Sequence, residues 1–220
     1  MTTRRYLIAG AGGVVLLGAG AAAWKFFGSP DSKPSEGISL GGAVDLMTPS
    51  PLGDQTLGRD DAPVTIVEYA SMTCPHCANF HKTTYPALKK QYIDTGKVRF
   101  IFRELPLDQI ALLASMLARC GGKDKFFSLV EVLFQQQDKW AVQDPLPPLL
   151  AIAKQAGFSE DSFNVCVKDQ KVYDGVVWSY ERAGKLGVKS TPSFFINGKL
   201  HAGGMSIEDM AKMIDPLLKS

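Results

Sequence analysis

Four consecutive residues, Cys74-Pro75-His76-Cys77, carry the most definite chemistry in this chain. Two thiols separated by two residues can close a small disulfide, reopen it and exchange it with another thiol. An apolar run, Val64-Thr65-Ile66-Val67-Glu68-Tyr69-Ala70, precedes them, and a helical pattern from about Ala78 to Tyr92 follows. Strand, tight turn and helix in that order place Cys74 at a helix N-terminus. Unpaired backbone N–H groups and the helix dipole favour negative charge there, so the Cys74 thiol should ionise below an ordinary cysteine. Pro75 suits the first helical position, having no N–H to leave unpaired. His76 can add positive charge beside the thiolate. Cys74 is expected to be the exposed nucleophile and Cys77 its more buried resolving partner. Two plainer readings compete. A purely structural disulfide is disfavoured because so close a pair at a helix start is rarely only structural. Zinc is disfavoured because Cys74, His76, Cys77 and His81 have no second C-x-x-C or His-x-x-x-His to complete a four-ligand site.

The elements that must hold this turn are legible around it. The run 64–70 is apolar on both faces, as a central buried strand should be. Glu68 breaks it: a carboxyl there is costly unless hydrated, paired or protonated. A strand-end carboxylate paired with a lysine is the bland alternative. Pro86 should kink the helix after the motif. Val98 to Glu104 reads as the next strand, and residues 107 to about 185 as mostly helical, with Ile110, Leu113, Leu117 and Cys120 at helical spacing. Ser159 looks like an N-cap, and Val172 to Leu186 like the last of these helices. Thr191-Pro192 leads into a strand, Ser193-Phe194-Phe195-Ile196. Asn197-Gly198 is a strong hairpin signal, followed by a short strand around Leu200-His201 and a helix from Ser206 to Leu218. His201 is most simply a surface residue.

The motif, Glu68 in the strand before it and Thr191-Pro192 before the late strand together resemble the thioredoxin-fold thiol–disulfide oxidoreductases of the DsbA type. The resemblance covers roughly residues 52 to 219. It implies an α/β thioredoxin fold with an inserted helical subdomain: a first part over 51–106, the insertion over 107–185 and a second part over 186–220. It further implies that Glu68 sits beneath the dithiol and moves protons for Cys77, and that Pro75 and His76 tune the redox potential. It implies a cis Thr191–Pro192 bond facing Cys74, exposing the Thr191 backbone to an extended substrate. Some DsbA-like proteins carry a second, non-catalytic bridge. Here Cys120 and Cys166 are left to pair if the compartment is oxidising; two buried free thiols are the alternative.

The totals fit such a domain. A chain of 220 residues can bury a good core. The formal net charge of +2 comes wholly from Arg4 and Arg5, so nothing points to nucleic acid. Those arginines precede an uncharged, Gly/Ala-rich stretch from Tyr6 to Trp24, a pattern read as an export signal of twin-arginine type or as a membrane anchor. Residues 25–50 read as a flexible linker.

The resemblance implies a periplasmic, monomeric enzyme that donates the Cys74–Cys77 disulfide to newly exported, partly folded cysteine-containing proteins. A DsbB-like membrane oxidase would reoxidise it. No cofactor or metal is expected, because the dithiol is the redox centre. A reductase or isomerase on the same fold, and a non-enzymatic peptide-binding chaperone, are the alternatives.

Overall fold

The computed structural model describes residues 46–219. The export segment expected over 1–24 and most of the expected linker lie outside them. Five strands form one sheet: β1 (Gln55–Leu57), β2 (Val64–Ala70), β3 (Val98–Glu104), β4 (Ser193–Ile196) and β5 (Lys199–Ala202), in the order β1-β3-β2-β4-β5. The central strand β2 is parallel to β3, with Glu68 opposite Phe102, and antiparallel to β4, with Glu68 opposite Phe194. Period-two alternation divides the strands between two buried faces. Val64, Ile66 and Ala70 join Phe100, Phe102 and Phe194 in the larger core, whereas Val67 and Tyr69 join Ile101 and Phe195 in a smaller one. Glu68 therefore points into the larger core. The Asn197-Gly198 turn, with φ of 43° and 83°, closes the β4–β5 hairpin.

The helices after the motif differ from the single kinked helix expected. Helix α1 (Pro75–Thr83) ends at Thr84, a short α2 (Tyr85–Leu88) follows, and a π-helical turn covers Lys89–Ile93. The interruption comes two residues before Pro86. The Thr84 hydroxyl donates to the Met205 carbonyl at 2.9 Å, and Pro86 then falls in the first turn of α2, where its missing N–H costs no helical bond.

Six helices make the insertion: α3 (Gln109–Cys120), α4 (Gly122–Gln135), α5 (Gln137–Trp140), α6 (Leu146–Gln155), α7 (Glu160–Cys166) and α8 (Gln170–Lys185). Asp108, Ser159 and Asp169 cap α3, α7 and α8 by accepting from backbone N–H groups. A disulfide joins Cys120 to Cys166 across α3 and α7. The insertion shares one core with the sheet: Phe126, Phe134 and Trp140 pack with Phe80 and Phe102. Helix α9 (Ile207–Ile214) closes the fold and gives way to a 3-10 turn over Asp215–Leu218, earlier than the expected end at Leu218, because Pro216 stops the helix.

The linker expected over 25–50 also ends sooner. Leu46 and Ser50 are 3% and 4% exposed. The fully buried Arg103 guanidinium needs acceptors. It donates to the carbonyls of Leu46 (2.6 Å) and Thr48 (3.1 Å), to the Tyr69 hydroxyl, and to Asp54 in an ion pair at 3.0 Å.

Candidate active site

Cys74 takes the N-cap position of α1 with an extended backbone, and Pro75 begins the helix. This sets the N–H groups of His76 and Cys77 toward the Cys74 sulfur. The site is more closed than the sequence suggests. Cys74, expected as exposed, is only 5% exposed, whereas Pro75 and His76 stand in solvent. The cover comes from the Thr191–Pro192 bond, which is cis. It brings the Thr191 carbonyl to 3.3 Å from the Cys74 sulfur, where it accepts from the thiol. The Thr191 hydroxyl is buried and has no other partner, which leaves it free to turn to a thiolate.

Electrostatics separate the two cysteines. The Cys74 thiol is lowered to about 5, first by a hydrogen bond from the Cys77 thiol, then by Thr191 and the N–H groups of Cys77 and His76, against the opposing effect of burial. The Cys77 thiol is pushed up, chiefly by burial, then by donating to Cys74 and by the charge of Glu68. The surroundings thus favour ionisation of Cys74 and keep Cys77 a protonated thiol that donates to it.

Beneath them, Glu68 finds its partner in His81 rather than in a lysine. Nε2 of His81 lies 2.9 and 3.2 Å from the two Glu68 carboxyl oxygens, and both side chains are essentially inaccessible. His81 lies one helical turn beyond Cys77, so both face the sheet. That spacing was readable from the sequence, and the resemblance already implied Glu68 beneath the dithiol; the pairing of Glu68 with His81 was not read.

Three further groups hold the turn. Gln137, at the start of α5, donates its amide to the carbonyls of Met72 (2.7 Å) and Cys74 (3.0 Å), tying the insertion to the two-cysteine turn. Asp108 accepts from Thr73 at 2.6 Å while capping α3. The Gly203 N–H donates to the Pro192 carbonyl at 2.8 Å, with φ of 91°, a conformation that favours glycine. No local motif marks Gln137 or Gly203. His201 is half-buried on β5 opposite Phe194. Among the described residues no group of three or more His, Cys, Asp or Glu side chains converges as a metal site would require.

Residues 51–216 match the family model described as "Thioredoxin". A Rickettsia typhi protein provisionally named a protein-disulfide oxidoreductase is 37% identical over 169 residues, 76% of this chain and 62% of the relative. The chain thus spans about three fifths of that relative's length. A Bacillus cereus protein provisionally named disulfide bond formation protein D is 32% identical over 175 residues, 75% of this chain and 79% of the relative. The crystal structure of Wolbachia pipientis alpha-DsbA1 superposes with a TM-score of 0.75 at 35% identity, covering 80% of this chain and 96% of that one. The chain belongs to the thioredoxin family, on its DsbA-like branch.

Proposed function

We propose that this protein is a thiol–disulfide oxidoreductase that acts as a disulfide donor. The observation that carries the reading is the placement of the two cysteines, Cys74 at the N-cap of α1 with the Thr191 carbonyl 3.3 Å from its sulfur and Cys77 fully buried, which lowers the Cys74 thiol to about 5 and raises Cys77. In the oxidised enzyme a substrate thiolate attacks Cys74, the Cys74–Cys77 bond breaks, and Cys77 leaves as a thiolate that takes up a proton. A second substrate thiolate attacks the substrate sulfur of the mixed disulfide, and Cys74 leaves. The substrate loses two electrons and the enzyme becomes the dithiol. A stabilised Cys74 thiolate is a good leaving group and favours the reduced enzyme, which makes its disulfide oxidising.

The Thr191 backbone beside the cis proline offers an edge for an extended polypeptide, so the substrates are unfolded or partly folded cysteine-containing proteins. The N-terminal pattern from Arg4 to Trp24 supports export and action in the periplasm. A membrane oxidase of the DsbB kind then restores the disulfide. The dithiol supplies the redox chemistry without a bound cofactor.

The test is oxidative refolding of a reduced, unfolded protein whose activity depends on its disulfides, in the presence of the oxidised enzyme. Stoichiometric transfer of disulfides by the natural protein, and none by Cys74→Ser, is the expected outcome. Equal refolding with both forms would instead favour a chaperone.

A further inference from the structure

The reduced enzyme must also be reoxidised, and that step needs a base inside the protein. When Cys74 is joined to an oxidant's sulfur, Cys77 must lose its proton before it can attack. Water has poor access, since Cys77 is 0% exposed. Glu68 lies close enough for its charge to act on Cys77. A buried carboxylate serves as a base only if something in the core keeps it from holding a proton of its own.

His81 is the group placed to do this. The hydrogen bonds found for the Glu68 carboxyl group both involve its Nε2. Its Nδ1 is buried without a partner. The ring sits in an aromatic cage, stacked on Phe134 at 4.3 Å and close to Phe80, Tyr85 and Phe102. A proton on Nδ1 would be stranded there, whereas a proton on Nε2 points at a carboxylate. The geometry therefore selects one tautomer, with Nε2–H donating and Nδ1 bare. The other titratable groups around the pair are Cys77 on α1, Tyr85 on α2, and Glu131 on α4 and Asp94, whose charges act on Tyr85. The Tyr85 hydroxyl is itself unpartnered, and burial raises it, so it remains a neutral phenol. None of these supplies positive charge, and the Nε2–H dipole has no rival among them.

We propose that His81 is a positioning residue that holds Glu68 as a carboxylate, so that Glu68 can accept the Cys77 proton when the active disulfide re-forms. The inference rests on the redox reading above. With glutathione disulfide as the oxidant, Cys74 thiolate attacks one sulfur and releases a glutathione thiolate. Glu68 takes up the Cys77 proton, directly or through one water. The Cys77 thiolate attacks the Cys74 sulfur, and the second glutathione leaves as thiolate. The dithiol loses two electrons and the oxidant gains them.

The experiment mixes reduced full-length protein with glutathione disulfide, quenches with acid at intervals, and follows the glutathionylated intermediate by mass spectrometry from pH 5 to 8. His81→Leu and Glu68→Gln should each slow resolution of the intermediate at least about tenfold, as loss of a general base does. The first attack, by Cys74, should keep its rate. The double variant should be no slower than Glu68→Gln, because both substitutions remove one function. Resolution at the natural rate in folded His81→Leu, or a further slowing on adding it to Glu68→Gln, would overturn the inference. Nitrogen NMR of the unaltered reduced protein gives a check free of folding effects: the His81 proton is expected on Nε2, and a proton found on Nδ1 alone would also overturn it. Failure of the natural protein to form the intermediate at all would strike the redox reading instead.

Discussion

Replacing Cys77 by alanine should raise the ionisation midpoint of Cys74 without returning it to that of a free cysteine. The Cys77 thiol is the largest influence lowering Cys74. A hydrogen bond to a charged group contributes about 1.5–3 kcal/mol. At about 1.4 kcal/mol per pH unit, its loss moves the midpoint up by about 1–2 pH units from the present value of about 5. The remaining depression comes from groups that Cys77→Ala leaves in place: the N–H groups of residues 76 and 77 at the helix start, and Thr191. The assay is the ultraviolet absorbance of the thiolate against pH, checked by the pH dependence of alkylation with iodoacetamide. An unmoved midpoint would refute the role given to Cys77. A complete return to the ordinary value of about 8.5 would refute the role given to the helix N-terminus and Thr191.

Redox state and pH should act together on stability. In the reduced protein Cys74 ionises at about 5 when folded, against about 8.5 unfolded. Its contribution is therefore complete above the unfolded value and lost as pH falls through about 5. The oxidised form has no thiolate, so urea unfolding should show the reduced form as the more stable at pH 7, with the gap shrinking toward pH 4. Replacing both Cys120 and Cys166 by alanine should lower stability by about 2–4 kcal/mol in urea unfolding, because their bridge closes a separation of 46 residues, while exchange at Cys74 persists. Substituting Arg103 by methionine should cost about 3–5 kcal/mol by stranding Asp54, and limited proteolysis should then cut within residues 46–54. Gln137→Ala should weaken the tie between α5 and the redox turn, seen as faster amide exchange at Cys74 and Pro75's neighbours with the fold retained.

The redox turn and its flanking elements were legible because they rest on local rules: strand periodicity, a helix start at Pro75 and a hairpin at Asn197-Gly198. The site's closure was not. The resemblance implied that Thr191–Pro192 faces Cys74, but no local pattern shows that this loop, more than a hundred residues away, lies close enough to cover the sulfur. Glu68 was visible as a misfit in an apolar strand, but its partner was not: His81 was weighed only as a metal ligand, and a lysine was the partner considered, whereas the fold brings His81 on α1 over the face of β2 that carries Glu68. Arg103 likewise alternates neatly within its strand. Only the fold shows that residues 46–54 pass over its buried end and supply its acceptors.

The most direct test of the account is the equilibrium of the Cys74–Cys77 pair against a glutathione buffer at neutral pH, read by thiol alkylation and mass. A midpoint at or above that of the glutathione couple is predicted, because a thiolate stabilised at about 5 favours the dithiol over the disulfide. A strongly reducing midpoint, near the about −270 mV of thioredoxin itself, would contradict the donor role and make the protein a reductase.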